Sequence, residues 1–259
     1  MKVSDLIFNK DKTSYINLIQ SIEGKLLTFK EVVEENVKSD KFFCLRHDID
    51  DKKQLRQCLT LASLECQRGW KSTYFLRYFS NFFKFSDDFI EVCKEFIKLG
   101  HDLGLHIDIV DSYIKETKNV KKSLLKPLTF LRNNGIEIKG VSAHGTPTTY
   151  KTAFNYEFWK EFKLNKYDSV GKVKFKKISL RDLDLVYETY FIGHDFYLTD
   201  SRGVWTGWVV NKDKILPYES NMIKNKNNIG KKVIKKFNKS KEGFFQVLIH
   251  SHPNRWTII

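Results

Sequence analysis

The chain has 259 residues, of which 41% are hydrophobic and 14% are aromatic. This composition supports one large buried core and excludes the intrinsically disordered and fibrous classes. The 4 prolines and 13 glycines are not clustered into linkers, so we expect a single domain over residues 1–259.

Positive charge dominates the sequence. The 45 Lys and Arg residues against 31 Asp and Glu residues give a formal net charge of +14, which favours anionic partners such as phosphorylated substrates or acidic membrane surfaces. The lysine-rich segment, residues 211–241, contains ten lysines and only two acidic residues. A solvated surface would explain this segment equally well. Because it has few interleaved aromatic residues and no recognition motif, we expect no nucleic-acid partner.

The lack of a recognisable targeting signal and the spacing of the cysteines indicate the compartment. No stretch approaches the roughly 18 apolar residues of a membrane span, and the N-terminus has no signal-peptide core. The four cysteines show no C-x-x-C spacing, which favours packed free thiols over disulfides or zinc sites. We therefore expect a cytoplasmic protein.

Strand and helix patterns alternate through the first part of the chain. Residues 1–40 resemble a polar lead-in with short helices near 14–22 and 28–36. The predicted strands that follow are 41–50, 72–79, 101–110 and 136–145, and the predicted helices between them are 52–69, 85–100 and 113–134. This alternation predicts parallel strands in an α/β barrel or an open doubly wound sheet, with function at the strand carboxyl ends.

After residue 145 the pattern is less regular. An aromatic, loop-rich stretch over 146–180 precedes three apolar segments at 185–190, 194–210 and 244–250. We expect short strands and long functional loops in this part of the chain.

The first predicted strand ends in two carboxylates that point the same way. Strand alternation places Asp48 and Asp50 on one side and Ile49 on the other. Neighbouring carboxylates repel each other unless a cation or a shared proton relieves them, so the pair favours a metal ion with a general base. Asp51 is better explained as the N-cap of the following helix.

Three further strand ends carry histidines. His106 and Asp108 share a face of the third strand, with Asp111 beyond them, and the fourth and last strands end at His144 and His250. A lone histidine is usually structural, as we expect for His101 at a strand entrance. Asp, His, His and His at four strand ends predict a metal-assisted hydrolase, in which a carboxylate deprotonates water and a histidine protonates the leaving group.

These segments occur in an order that resembles a known family. They are RHDID (46–50), TYFLR (73–77), GHDLGLH (100–106), SAHG (142–145), TDSRGVW (199–205) and VLIHSHPNRW (247–256). Together they are similar to the polysaccharide deacetylase (NodB-homology, carbohydrate esterase family 4) superfamily, in its R-H-D-x-D branch. The resemblance covers about residues 42–256.

The resemblance implies a distorted (β/α)7-type barrel and metal-dependent removal of acetyl groups from carbohydrates. It implies that Asp48 is the base, that Asp50 and His106 are metal ligands and that His250 is the acid. The family's second histidine would fall on Val110, which cannot bind metal, so we expect Asp108 to be the third ligand.

Other positions keep alternatives open. His144 and Asp111 are alternative third ligands, and His144 stands where the family's third motif carries an arginine that holds the base. Asp200, Ser201 and Trp205 resemble the segment that lines the substrate groove and, in the family, orients the acid histidine. His144 is placed with them as a substrate-binding residue. Core packing is the alternative for Trp205. Of two further histidines, we expect His47 to be a buried residue that supports the strand. His252 is either a second hydrogen-bond donor at the rim of the site or a cap of the C-terminal turn.

The resulting hypothesis is hydrolytic deacetylation of an acetamido sugar with Zn²⁺ or a similar divalent cation. The expected substrate is a cytoplasmic, nucleotide- or lipid-linked intermediate of surface polysaccharide (lipopolysaccharide or capsule) biosynthesis. The lysine-rich segment would then contact the diphosphate or an anionic membrane. The alternatives are a catalytically silent carbohydrate-binding relative and a metal-dependent phosphoesterase.

Overall fold

The computed structural model describes residues 4–10, 12–37, 40–78, 87–115, 119–162, 172–211, 214–217, 229–250 and 255–259. Its strands are β1 (Leu6–Phe8), β2 (Thr13–Ser14), β3 (Lys25–Leu26), β4 (Lys41–Ile49), β5 (Thr73–Tyr78), β6 (Asp102–Ile107), β7 (Gly140–Ala143), β8 (Tyr187–Glu188), β9 (Phe196–Thr199), β10 (Thr206–Asn211), β11 (Lys214–Pro217), β12 (Gly243–Leu248) and β13 (Trp256–Ile258). Its α-helices are α1 (Tyr15–Gln20), α2 (Phe29–Glu34), α3 (Leu55–Gln67), α4 (Asp87–Lys98), α5 (Ile109–Lys115), α6 (Val120–Asn133), α7 (Thr189–Ile192) and α8 (Ile229–Lys239).

One large sheet organises the fold. It has ten strands, in the order β11-β10-β9-β12-β4-β5-β6-β7-β8, with β3 alongside β4. The strands from β9 to β8 pair in parallel, whereas β10 and β11 are antiparallel. The sheet curls into a half-barrel. The α/β class is therefore confirmed, and the carboxyl ends of β4, β6, β7, β9 and β12 meet at one edge.

Strand β4 lies at the centre of this sheet and is buried on both faces. Phe43 and Leu45 pack in one apolar cluster, and Phe42 and Cys44 pack in another. A strand covered on both sides needs apolar side chains at successive positions, which explains the run in the sequence. The polar residues of RHDID begin at its carboxyl end, where Arg46, His47 and Asp48 are also buried.

The segment after β6 differs from the prediction. The strand predicted over 101–110 ends at Ile107, and α5 begins at Ile109. The helix predicted over 113–134 is two helices, α5 and α6, with residues 116–118 outside the described part. Ile109 and Val110 are β-branched, which favours a strand locally, but both are buried in the helix, so tertiary packing overrides the local preference.

The N-terminal lead-in belongs to the core. The two short helices are confirmed as α1 and α2, but the segment is not simply polar, because β1 pairs antiparallel with β13 and with β2. Leu6, Phe8 and Tyr15 are fully buried against the large sheet's apolar cluster. Residues near both ends of the chain therefore close one side of the same core.

Cysteines and lysines occupy distinct environments. All four cysteines are free, but Cys66 is exposed, so the prediction that it packs was wrong.

The lysine-rich segment is described at 211, 214–217 and 229–241, while 212–213 and 218–228 lie outside the described residues. In α8 the apolar side chains face the core and the lysines face outward. No helix in the described ranges is long and apolar enough to cross a membrane.

Candidate metal centre and active site

A cleft of about 980 Å³ opens at the carboxyl edge of the sheet. It is lined by residues from five strand ends and the loops that follow them: Arg46, Asp48, Asp50, His106, Ala143, His144, Gly145, Pro147, Tyr150, Lys151, Tyr197, Thr199, Ser201, Val204, Thr206, Trp208, Leu248, His250 and Arg255. The segments RHDID, GHDLGLH, SAHG and VLIHSHPNRW thus contribute to one cavity.

Three of these side chains form a group that is able to hold a cation. One donor atom each from Asp50, His106 and His144 lies within 4.8 Å of the other two. Asp50 Oδ1 is 3.5 Å from His106 Nε2 and 3.8 Å from His144 Nε2. Donors about 2.1 Å from a tetrahedral zinc ion are separated by about 3.4 Å, so small side-chain adjustments suffice. The donor set of two imidazoles and one carboxylate therefore fits Zn²⁺ or a similar ion.

His106 presents its Nε2 atom to this group. Its Nδ1 lies 3.0 Å from the carbonyl oxygen of Ser142, which fixes the ring. Burial lowers the pKa of His106 to about 4, although the charges of Asp48 and Asp50 oppose that shift. The imidazole is therefore neutral at neutral pH, as a metal ligand must be.

Asp108, the predicted third ligand, lies behind His144 rather than in the group of three. Its Oδ2 accepts a hydrogen bond of 2.7 Å from Arg77 Nη2 and lies 3.3 Å from His144 Nδ1. Burial alone would raise the pKa of Asp108, but His144 and Arg77 hold it below its usual value. The alternative ligand, His144, is in the group, and the carboxylate of Asp108 orients its ring.

The other positions considered for the third ligand are directed elsewhere. Val110 is fully buried, and its backbone N–H donates to Asn155 Oδ1 at 2.7 Å. Asp111 accepts a hydrogen bond from Thr146 Oγ1 and pairs with Lys115 Nζ. Asp111 therefore supports the loop after β7, and its two oxygens are engaged there.

The predicted base, Asp48, is paired with an arginine from its own strand. Arg46 donates from Nε and Nη2 to the two carboxylate oxygens of Asp48 at 2.8 and 2.7 Å. Burial alone would raise the pKa of Asp48, but Arg46 and His106 hold it well below its usual value. Arg46 therefore fixes the orientation of the Asp48 carboxylate. Its position two residues before Asp48, on the same strand face, was an available signal.

The predicted acid, His250, is held by Asp200. Asp200 Oδ1 lies 2.8 Å from His250 Nδ1 and accepts the backbone N–H of His250 at 2.9 Å. Trp256 Nε1 donates to the other oxygen of Asp200 at 2.8 Å. Burial alone would lower the pKa of His250, but the hydrogen bond and charge of Asp200 raise it. Since Asp200 engages Nδ1, Nε2 is the nitrogen that serves the cleft.

The residues predicted to bind substrate separate into two groups. Ser201 and His144 line the cleft, whereas Asp200 and Trp205 do not. Asp200 is fully buried behind His250, and Trp205 packs against Phe8 and Trp256, which is the core-packing alternative. Asp200 and Trp205 therefore do not contact the cleft as predicted, and Asp200 instead contacts the proposed acid, His250, which the resemblance also implied for this segment.

A second aromatic pair lines the cleft in place of Trp205. Trp208 and Tyr197 are stacked with ring centroids 4.0 Å apart, and Trp208 Nε1 donates to His194 Nε2 at 2.8 Å. Both belong to the antiparallel pair β9 and β10. Neither residue belongs to the segment 199–205 that was predicted to line the groove. The antiparallel pairing of β9 with β10 places Tyr197 opposite Trp208 and so brings the two rings together.

The remaining predicted histidines have structural surroundings or lie outside the description. His47 is fully buried, with Nε2 2.9 Å from Glu65 Oε1 and Nδ1 3.0 Å from the carbonyl oxygen of Ile249. His101 is also buried and lies 2.9 Å from the carbonyl oxygen of Ala62. Both match the structural role predicted for them. His252 lies outside the described residues.

No model of a known protein family matches the chain, and a search of curated proteins finds no match either. The chemistry of the cleft must therefore be argued from its own residues.

Proposed function

We propose that the protein is a metal-dependent hydrolase that removes an acetyl group from an N-acetylated sugar, in a distorted barrel of the polysaccharide deacetylase kind. One observation carries the proposal: three side chains able to hold a cation, an ionised carboxylate and a protonatable histidine line the same cleft. Metal-assisted amide hydrolysis uses these three components, namely an electrophilic cation, a base for water and an acid for the departing amine.

Asp50, His106 and His144 would hold the metal ion. A divalent cation bound there would polarise the acetyl carbonyl and lower the pKa of a water molecule. The protein contributes a neutral His106, a carboxylate that offsets one positive charge and a His144 ring oriented by Asp108. These features suit Zn²⁺ better than Mg²⁺ or Ca²⁺, because those ions prefer all-oxygen ligand sets.

Asp48 would accept the proton of the attacking water. Its Oδ2 atom lies 3.4 Å from His106 Nε2, so the base is beside the ligand group. Arg46 keeps this carboxylate ionised and fixes its orientation through two hydrogen bonds. A carboxylate held in this way is a weak base, so it requires a water whose own pKa has been lowered.

His250 would donate a proton to the departing nitrogen. The Asp200 carboxylate raises the pKa of His250 and holds the imidazolium through Nδ1. The proton on Nε2 is then available to the amine as the carbon–nitrogen bond breaks, giving acetate and a free amino sugar.

Aromatic rings along the cleft support a carbohydrate substrate. The stacked pair Tyr197 and Trp208 lies on one side, and Tyr150, which is 56% exposed, lies on another. Aromatic faces pack against the apolar C–H faces of sugar rings, while polar groups beside them select the hydroxyls.

The test is acetate release from acetamido sugars by the purified protein loaded with Zn²⁺. We expect turnover to disappear on chelation and to return with added metal. Asp48→Asn should abolish turnover while retaining the metal, and Asp50→Ala should lose both. Normal activity in Asp48→Asn would show that the base is another group.

Two other results would replace the proposal. A metal-free preparation that does not bind added Zn²⁺ would indicate a silent, sugar-binding protein. Release of phosphate instead of acetate from an acetylated sugar phosphate would indicate a phosphoesterase.

A further inference from the structure

The cleft carries two cationic side chains that the proposed reaction does not use. Among the described residues that line it, the acidic ones are Asp48 and Asp50, and Arg46 is already paired with Asp48. Lys151 and Arg255 remain, and neither has a carboxylate partner within the described part of the chain. The lining is therefore positive even before a divalent cation is bound.

Arg255 lies on the side of the cleft that holds the proposed acid. Its Nη1 donates to the backbone carbonyl of Asp200 at 3.3 Å, and Asp200 is the partner of His250. The Arg255 side chain also passes over Gly203, where an added Cβ would lie 3.8 Å from Nε. The guanidinium is thus held beside β9 and β12.

Lys151 lies on the opposite side, with the proposed ligand His144. It ends the 3-10 turn Thr149–Lys151, which follows β7. The preceding Tyr150 packs on Gly145, because its hydroxyl would lie only 2.8 Å from a Cβ at that position. In the strand order β9-β12-β4-β5-β6-β7, the two cations therefore lie on either side of β4, which ends in Asp48 and Asp50.

We infer that the sugar bound in this cleft carries an anionic oxygen group, a phosphate or a carboxylate, which Lys151 and Arg255 recognise. This inference rests on the proposed function and names the substrate class of the same site. A neutral acetamido sugar would leave both cations without a counter-charge. A guanidinium matches the geometry of phosphate and carboxylate oxygens, and a lysine adds a mobile point charge. A cleft lined by one sign of charge also concentrates substrates of the opposite sign.

The experiment compares three acetylated substrates: N-acetylglucosamine, its 1-phosphate and the corresponding uronic acid. For the wild-type protein we expect a KM at least about tenfold lower for one or both charged sugars than for the neutral one. The phosphate and uronic acid arms decide which anion is preferred. Equal KM values for all three sugars would overturn the inference.

Matched variants locate the effect. Lys151→Gln and Arg255→Gln should each raise the KM for the preferred charged sugar by about tenfold, and by much more than they raise the KM for the neutral sugar. Lys172→Gln is the control, because Lys172 is exposed, lies outside the cleft and donates its backbone N–H to Thr152. An equal rise in KM for charged and neutral sugars would contradict a charge-recognition role.

Calorimetric binding of the same sugars separates this inference from the proposed function. Tighter binding of a charged sugar that depends on Lys151 and Arg255, without acetate release, would support the anionic site and reject the deacetylase. Acetate release with no preference for charge, in KM or in binding, would do the reverse.

Discussion

The side chain of Asp200 controls the proton that His250 carries. Because the pKa of His250 is raised above its usual value, the ring keeps its proton to a higher pH than an unperturbed histidine does, and it loses the proton as the pH rises through that higher value. The rate of a reaction that needs this proton should therefore fall on the alkaline side.

Asp200→Asn should move this alkaline limb of kcat to lower pH, because the charge that stabilises the imidazolium is removed. The measurement is the pH profile of acetate release. Asp184→Asn is a suitable control, since Asp184 is exposed and its backbone has φ 52°, a conformation that asparagine tolerates. An unchanged alkaline limb in Asp200→Asn would exclude His250 as the acid.

Asp108 and Asp111 provide a second comparison at the residue scale. Asp108 orients His144, whereas Asp111 is bonded to Thr146 and Lys115. Asp108→Asn should weaken Zn²⁺ affinity by about 10–100-fold, as loss of a carboxylate behind a histidine ligand does. Asp111→Asn should leave affinity near that of the wild type. Competition with a fluorescent chelator measures both, and the opposite ranking would place Asp111 at the metal.

The positions of some site residues could be predicted from the sequence, and those of others could not. Asp48, Asp50, His106 and His250 could be placed at one cleft because strand ends and alternation fix their direction. The choice between Asp108 and His144 could not be made, because it depends on where β6 ends and α5 begins. That boundary is set by packing of Ile109 and Val110, which local propensity does not reveal.

At the scale of elements, a buried polar cluster joins α1, α3, β4 and β5 beneath the cleft. Glu65 on α3 accepts hydrogen bonds from Ser72 and Tyr74 and contacts Tyr15, His47 and His101. His47 in turn contacts the carbonyl oxygen of Ile249. The residues that follow His47 and Ile249 are Asp48 and His250, so this cluster ties together the strand ends that carry the base and the acid.

Glu65→Gln should reduce the free energy of unfolding by about 3 kcal/mol, because the amide replaces one acceptor oxygen with a donor and leaves buried hydroxyl groups such as those of Ser72 and Tyr74 without their acceptor. Burial alone would raise the pKa of Glu65, but His47 and His101 lower it to about 2. Its stabilisation is thus present above the unfolded value of about 4.3 and lost as the pH falls toward 2.

Urea unfolding at several pH values measures this effect. The exposed Glu95, which pairs only with Lys98 of its own helix among the described ion pairs, gives the control variant Glu95→Gln, with an expected change below about 0.5 kcal/mol. Equal effects of the two substitutions would mean that the Glu65 cluster does not stabilise the fold.

The elements themselves were partly predictable. The strand and helix alternation from β4 to β6 follows from apolar periodicity and from glycines at helix ends. The pairing of β1 with β13 was not predictable, because it joins residues near opposite ends of the chain and leaves no local signal. The antiparallel pairs that β10 forms with β9 and β11 join neighbouring segments of the chain, but the single apolar segment predicted over 194–210 did not separate β9 from β10.

At the scale of the whole molecule, α8 carries a row of lysines on its outward face. In α8 the side chains of Val233, Ile234 and Phe237 are buried, and Lys231, Lys235 and Lys239 are exposed. We propose that this surface contacts an anionic membrane, where each lysine contributes about 1 kcal/mol.

Replacing Lys231, Lys235 and Lys239 of α8 with glutamine should reduce the affinity for anionic vesicles by about 100-fold. This factor corresponds to the sum of three contributions of about 1 kcal/mol each. The control replaces Lys121, Lys122 and Lys126 on α6, which are also exposed, and so changes the net charge equally. Vesicle flotation with and without anionic lipid measures both. An equal loss in the two triple variants would assign binding to net charge rather than to α8.

The proposed function requires strand ends from distant parts of the chain to bind one cation. The most direct measurement is the position of the zinc anomalous peak in crystals grown with Zn²⁺. We predict one peak within about 2.0–2.2 Å of Asp50 Oδ1, His106 Nε2 and His144 Nε2, with Asp108 bonded to His144 behind it. A peak coordinated by Asp108 or Asp111 in place of His144, or no peak in the cleft, would contradict this ligand set.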